Sequence, residues 1–229
     1  DGAQKHLQAG AKKVLISAPG SDIDLTVVYG VNHKKINRKH SIVSNASCTT
    51  NCLAPVAKIL NDKFGIVKGH MTTIHAYTGD QNLLDTVHKD PRRARGAALS
   101  LVPTSTGAAK AIGQVLPELS GRLEGTAVRV PVPNVSVIDL VCELKKNISV
   151  DDINHEMSKA SKGPMKGVLD INSAPLVSSD FNHNPHSSIF DTTQTQLIGK
   201  KMARVMSWYD NEWGFANRML DVAKAMGKN

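Results

Sequence analysis

The residues most able to do chemistry stand in one short run, Ser44-Asn45-Ala46-Ser47-Cys48-Thr49-Thr50-Asn51-Cys52. Ser47 is a good helix N-cap, and Leu53, Val56, Ala57 and Leu60 follow at the spacing of one helical face, which predicts a helix over about 48–61. A cysteine in the first turn of a helix feels the positive end of the helix dipole. That environment favours thiolate over thiol and makes a nucleophile. The flanking hydroxyls and free backbone amides suit an anion. The same residues also fit a small cysteine that only packs, and the local pattern does not choose between the two. Cys52 lies one turn after Cys48 on the same side and reads as core packing. Cys48, Cys52 and His75 do not read as a metal site, because no fourth ligand stands at a suitable spacing.

These residues need elements to hold them. Pro55 falls inside the predicted helix, removes one backbone hydrogen bond and is expected to kink it. Residues 66–75 read as a strand ending at His75, and residues 79–102 as a long loop carrying Arg92, Arg93 and Arg95. Ser105 and Thr106 precede a small-residue helix, 107–116, stopped by Pro117. Residues 126–142 read as sheet, with Arg129 on the face opposite Val128, Val130 and Val132. Ser149-x-x-Asp152 resembles a capping box, opening a helix with an apolar stripe of Ile153, Met157 and Ala160 that ends at Gly163-Pro164. A strand over 203–209 leads into a C-terminal helix whose buried face is predicted as Phe215, Met219, Val222 and Met226. Before Ser44, residues 4–9 read as the end of a helix, and Val14–Ser17 and Thr26–Val31 as strands. The order implies an α/β start followed by an α+β part, a mostly antiparallel or mixed sheet with flanking helices.

The chain has 229 residues, 41% hydrophobic and 21% charged, ordinary for a globular protein. It begins with Asp1 rather than Met, inside what reads as a helix-to-strand connection, so upstream residues are expected to have been removed. No apolar run approaches the roughly 18 residues of a membrane span. Three cysteines are too few, and odd in number, for a disulfide framework, and they point to reduced thiols in a cytoplasmic protein. The net charge of +8 attracts anions, whether nucleic acid, acidic membrane or phosphorylated metabolite. Aromatic residues make up only 4% and do not alternate with the basic ones, which argues against specific nucleic-acid recognition. No two glycines lie two positions apart, so the dinucleotide fingerprint G-x-G-x-x-G is absent. Any phosphate-binding turn for a dinucleotide is expected outside these residues.

Ala46-Ser47-Cys48-Thr49-Thr50-Asn51-Cys52-Leu53 resembles the active-site signature of the phosphorylating glyceraldehyde-3-phosphate dehydrogenases. Thr72-Thr73-Ile74-His75, Ser105-Thr106-Gly107-Ala108-Ala109-Lys110, the run from Arg129 to Ser136, and Ser207-Trp208-Tyr209-Asp210-Asn211-Glu212 resemble that family too, in family order. The resemblance covers essentially the whole chain. It implies that Cys48 attacks the aldehyde of glyceraldehyde 3-phosphate, and that His75 lowers the thiol pKa and acts as base while hydride leaves for NAD, or for NADP. A thioester then forms, and inorganic phosphate cleaves it. By the same resemblance Thr78, Asp80 and Arg129 hold the substrate phosphate, and Ser47, Thr49, Thr106 and Gly107 hold the attacking phosphate. Asn211 binds the nicotinamide carboxamide, and Tyr209, grouped with it as a cofactor residue, packs near His75. The resemblance further implies a cytoplasmic homotetramer whose 79–102 loop lines a neighbour's cofactor site. It divides the chain into the C-terminal remnant of a Rossmann-type nucleotide-binding domain (1–47), a catalytic domain (48–210) and a C-terminal helix (211–229) that returns to the nucleotide-binding domain.

Two features depart from the plain pattern. The runs 181–187 and 211–218 are also similar to erythrose-4-phosphate dehydrogenases, against which stands the intact Ser105–Lys110 run. Thr86-Val87 replaces a Leu-Pro or Gly-Pro pair common in strictly NAD-dependent members, leaving NAD and NADP both open. An alternative of another class is a non-catalytic fragment that binds anions or nucleic acid. The 229 residues by themselves are expected to bind phosphate or sulfate but not NAD, and to leave the C-terminal helix without the domain it packs on.

Overall fold

The computed structural model describes residues 2–228, so the outermost residues of the first and last predicted segments, Asp1 and Asn229, lie outside the described residues. A short helix α1 (Gly2–Gln8) leads to β1 (Val14–Ile16), β2 (Leu25–Thr26) and β3 (Ile42–Ser44). These three strands form a small parallel sheet in the order β1-β3-β2. The strand expected over 26–31 is only two residues long, because after Thr26 the Asn32 side chain captures the backbone as a turn. It accepts from Val28 N at 2.8 Å and donates to Thr26 O at 2.9 Å.

Helix α2 (Cys48–Phe64) runs three residues beyond its predicted end and closes on Gly65, whose positive φ of 74° lets its N–H reach the Leu60 and Asn61 carbonyls. It continues through Pro55, which is buried. Strand β4 (Ile66–Ala76) follows, then an irregular segment, β5 (Val102–Ser105), α3 (Ala108–Val115), β6 (Leu123–Val130) and β7 (Ser136–Leu144). The stretch read as one sheet segment over 126–142 is therefore two strands around a turn. Helix α4 (Val150–Lys162) opens on a reciprocal capping box between Ser149 and Asp152 and buries Ile153, Met157 and Ala160. The chain continues through β8 (Leu169–Asn172), β9 (Ser188–Asp191), β10 (Gln196–Ile198), β11 (Met202–Tyr209) and α5 (Trp213–Gly227).

The large sheet has eight strands in the order β5-β6-β4-β7-β11-β9-β8, with β10 on β11. Only β4–β6 and β8–β9 pair in parallel, so the sheet is mixed and mostly antiparallel. Period two decides which residues face the helices. Met71, Thr73 and His75 of β4, Ser136, Ile138, Leu140 and Cys142 of β7, and Val205, Ser207 and Tyr209 of β11 are all buried. Leu53, Val56, Ala57 and Leu60 of α2 pack on that face in one large core with α3 and α4.

A second, smaller core joins the chain's two ends. Val27, Ile36 and Val43 pack with Val222 and Met226 of α5. The C-terminal helix is thus not stranded: it lies on the small sheet, and Lys13 Nζ donates to Met226 O at 2.7 Å. Its buried face is the predicted one in Val222 and Met226 only. Gly214, Arg218, Val222 and Met226 are buried, whereas Phe215 and Met219 sit on the flank. A buried arginine is tolerated because both its terminal nitrogens are paired, although its Nε has no partner. Arg218 donates to Gly167 O at 2.7 Å, pairs with Asp221 at 2.9 Å and lies 5.9 Å over the Tyr29 ring.

Val222→Asp puts an unpaired carboxylate into the small core and should release α5 from the first strands. Hydrogen exchange should accelerate for amides in 14–44 and remain slow in β4 and β7; equal acceleration throughout would mean the two cores are one cooperative unit.

Candidate active site

The turn from β3 into α2 delivers Cys48. Ser44 is fully buried, and its hydroxyl donates to Ala18 O at 2.6 Å and accepts from Ala46 N at 3.0 Å. Ala46 adopts a left-handed backbone at φ 56°, which for a non-glycine residue costs about 1–3 kcal/mol and persists only where neighbours impose it. The neighbour here is Asn51, whose Nδ2 donates to Asn45 O at 2.7 Å and Ser47 O at 2.9 Å. Ser47 then caps the helix, its Oγ accepting from Thr50 N at 3.0 Å. Cys48 emerges at the first position of α2.

His75 reaches the same point from the end of β4. Its Nε2 lies 3.4 Å from Cys48 Sγ. Its Nδ1 lies 2.7 Å from Ala76 O. In the parallel β4–β6 pair His75 and Arg129 are register partners, so their side chains share a face. Arg129 Nη1 accordingly sits 2.8 Å from His75 Nδ1, 2.9 Å from Ala76 O and 3.4 Å from Thr78 Oγ1. Its Nε is buried without a partner. Tyr209 supports the pair from below, its ring edge-on to His75 at 5.8 Å and its hydroxyl bridging Thr49 Oγ1 at 2.9 Å and Thr73 Oγ1 at 2.8 Å.

Burial controls the electrostatics. The protein around Cys48 pushes its thiol above the ordinary range, outweighing the Thr49 amide and hydroxyl and the Arg129 charge, which pull it down, while Glu212 adds a smaller upward push. Desolvation is also the main reason the His75 imidazole falls to about 4, with the Arg129 cation lowering it further and the bond to Ala76 O working the other way. Desolvation thus works against the expected depression of the thiol, while the Thr49 amide and hydroxyl and the Arg129 charge act in its favour. The pair rests as thiol and neutral imidazole. Arg129 Nη1 can only donate, so at 2.8 Å from His75 Nδ1 it meets that nitrogen as an acceptor and competes with a hydrogen on Nδ1 shared with Ala76 O. Cys52 is inert by the same logic, fully buried and pushed up to about 12, with Sγ 3.5 Å from Ser188 Oγ. All three cysteines are free.

The other predicted residues divide by location. Thr78 joins Arg129 directly. Asp80 instead binds Arg93 of the same loop. Arg93 also donates to Thr104 Oγ1 at 2.9 Å and Ser105 O at 3.3 Å, which tethers the loop beside the strand that leads to Thr106. The signal for Arg93 was only its place among three arginines, and its acidic partner 13 positions earlier could not be chosen from sequence. Thr106 Oγ1 accepts from Ala108 N at 3.2 Å, and Gly107 starts α3, which packs against α2. Thr49 is 4% exposed with its hydroxyl bonded to Tyr209, so it supports Cys48 rather than facing an anion. Tyr209 is 1% exposed, which removes it from the cofactor residues. Asn211 lies beside the His75 strand end, its Oδ1 2.8 Å from Ser136 Oγ and its Nδ2 3.3 Å from Glu212 Oε1. Among the described residues no group of three or more His, Cys, Asp or Glu is arranged to hold a metal, and no helix is long and apolar enough to cross a membrane.

Residues 47–211 match the family model described as glyceraldehyde 3-phosphate dehydrogenase, C-terminal domain. The chain is 63% identical over 228 residues to a glyceraldehyde-3-phosphate dehydrogenase of Xanthobacter flavus, covering 100% of this chain and 68% of that protein. It is 61% identical over 226 residues to one of Cereibacter sphaeroides, covering 99% and 68% respectively, and 56% identical over 229 residues to glyceraldehyde-3-phosphate dehydrogenase 2 of a Nostoc species.

The depressed His75 makes a pH prediction. The unfolded imidazole binds a proton near pH 6.5 but the folded one only near 4, so stability is full above pH 6.5 and declines as pH falls towards 4. The decline from His75 should reach about 3 kcal/mol. His33 and His186 shift the same way, so the difference between the parent chain and His75→Gln in urea unfolding at pH 7 and pH 4.5 isolates His75. Equal pH dependence in both proteins would show that the imidazole is not desolvated.

Proposed function

The chain belongs to the glyceraldehyde-3-phosphate dehydrogenase family, and from that premise we propose how the residues around Cys48 carry out the oxidation of glyceraldehyde 3-phosphate with an NAD-type nucleotide. The observation that carries the reading is the 3.4 Å contact between Cys48 Sγ and an imidazole kept neutral by burial. Sγ attacks the aldehyde carbon as its proton moves to Nε2, and the carbonyl oxygen receives that proton to complete a thiohemiacetal. Nε2, free again, takes the hydroxyl proton as the carbon loses hydride, which leaves a thioester on Cys48. A bound nicotinamide supplies the hydride acceptor. Inorganic phosphate then attacks the thioester, and Cys48 leaves as the sulfur anion to be reprotonated. Each turn needs Nε2 empty at the start, the state in which the hydrogen sits on Nδ1, within 2.7 Å of Ala76 O.

Arg129 and Thr78 are the proposed ligands of the substrate phosphate. The Arg129 Nε, buried and without a partner, is a donor suited to a phosphate oxygen. Asp80 contributes by holding Arg93, since a carboxylate does not itself attract phosphate. Ser47 at the start of α2 and Thr106 with Gly107 at the start of α3 are the proposed site of the attacking phosphate, using free amides at two packed helix termini. Asn211 suits the carboxamide of the nicotinamide, because its fixed amide offers an N–H donor. NAD is the proposed acceptor, with NADP the competitor to be compared. The segments 1–47 and 211–229 are proposed to form one unit of the nucleotide-binding domain, which the shared small core supports. A reduced Cys48 suits the cytoplasm.

A homotetramer is proposed on the exposure of the loop between β4 and β5. Leu83, Leu84, Val87, Leu99 and Leu101 are each at least 69% exposed there, which is costly for a lone subunit. Leu83→Asp with Val87→Asp should lower the mass of the full-length protein measured by light scattering; an unchanged tetramer would exclude the loop from the interface.

Cys48→Ala should abolish aldehyde oxidation, and His75→Asn should lower kcat by roughly a hundred- to ten-thousandfold. Arg129→Ala should act chiefly on KM for the phosphorylated aldehyde. Turnover should favour glyceraldehyde 3-phosphate over erythrose 4-phosphate and depend on inorganic phosphate; preference for the erythrose sugar, independent of phosphate, would reverse the substrate assignment.

A further inference from the structure

Ser136 opens β7 and is 1% exposed, too deep to touch a substrate. It stands opposite Tyr209 of β11, and the next residue, Val137, pairs with Ile74 of β4, so it is placed between the strand ends that carry His75 and Asn211. Its hydroxyl joins two groups. Ala76 N lies 3.0 Å away and Asn211 Oδ1 lies 2.8 Å away. A backbone N–H can only donate, so the serine oxygen accepts from Ala76. The serine has one hydrogen left, and Asn211 is the acceptor bonded to it.

From this geometry we propose that Ser136 is a positioning residue that fixes which way the Asn211 amide faces. With the amide turned over, its NH2 would meet the serine oxygen, and the buried hydroxyl hydrogen would lose its acceptor. That loss favours the observed orientation by about tenfold or more. Nδ2 is then held away from Ser136. One of its hydrogens points to Glu212 Oε1 at 3.3 Å, and the other is available to a carbonyl oxygen. Asn211 therefore presents a donor, not an acceptor. The same hydroxyl holds the Ala76 N–H that follows His75, and Ala76 O lies 2.7 Å from His75 Nδ1. A single side chain thus sets the relation between the base and the carboxamide partner. The inference rests on the reading of Asn211 as that partner.

The test compares NAD with ADP-ribose, which lacks the nicotinamide, by calorimetry on the full-length gene product. Ser136→Ala, Asn211→Ala and the double variant are measured, with unfolding temperatures to confirm folding. Each single change should weaken NAD by about three- to tenfold while leaving ADP-ribose unchanged, and the double variant should be no weaker than Asn211→Ala. If Ser136→Ala leaves the ratio of the two affinities intact while Asn211→Ala lowers it, Ser136 does not position the amide and only this inference fails. If Asn211→Ala also leaves the ratio intact, the reading of Asn211 fails and the inference with it. Should Ser136→Ala not fold, Ser136→Cys keeps the size and a weak donor; a partial fall in the ratio supports the proposal, and an unchanged ratio overturns it.

Discussion

A sulfur and a ring nitrogen 3.4 Å apart set the terms for everything else at this site. One belongs to the first residue of a helix and the other to the second-last residue of a strand, 27 positions later. For them to meet, the start of α2 must lie over the end of β4. The large core under α2 enforces this, because Leu53, Val56 and Leu60 are fully buried against the sheet and fix the helix along its length. The Asn51 side chain then anchors the helix start by clasping the turn before it. Strain at Ala46 is tolerated for the same reason: the turn has nowhere else to go.

Desolvation is the second constraint, and it acts on both partners. Each group taken from water prefers its neutral form, so the helix dipole does not by itself produce a thiolate. The site instead holds a proton that can be passed along a short path, from sulfur to Nε2, with Ala76 O and Arg129 Nη1 both close to the second nitrogen. Arg129 places a permanent cation next to this neutral pair. It lowers the affinity of the imidazole for a proton and favours negative charge on sulfur, and so works on both ends of the transfer. The half-buried Arg129 holds its charge despite being pulled below its ordinary range, chiefly by partial loss of water.

The mixed sheet explains how such different residues converge. Parallel pairing of β4 with β6 sets His75 beside Arg129, while antiparallel pairing of β4, β7 and β11 brings Ser136 and Tyr209 to the same end. The site gathers where these strands stop, and the turns after them supply Thr78 and Asn211. A one-residue slip in any of these pairings would send its side chain to the opposite face of the sheet.

Sequence alone determined what depends on near neighbours in the chain. Ser47 as N-cap, Cys48 at the helix start, the Ser149–Asp152 capping box and the strand ending near His75 are all local events, settled within a few residues by backbone hydrogen bonding and periodicity. The family motifs were legible for a related reason, since Ala46–Leu53 is one contiguous run. Tertiary structure decided the rest. The strands β3, β8, β9 and β10 are three or four residues long, which leaves little periodicity to read. Arg218 took a buried position on α5 because Gly167, Asp221 and Tyr29 meet it there. The Arg93–Asp80 pair, the roles of Tyr209 and Ser136, and the rise of the Cys48 thiol likewise depend on which residues far apart in sequence exclude water from one another. Burial is a property of the assembled neighbourhood, and no run of residues carries it alone.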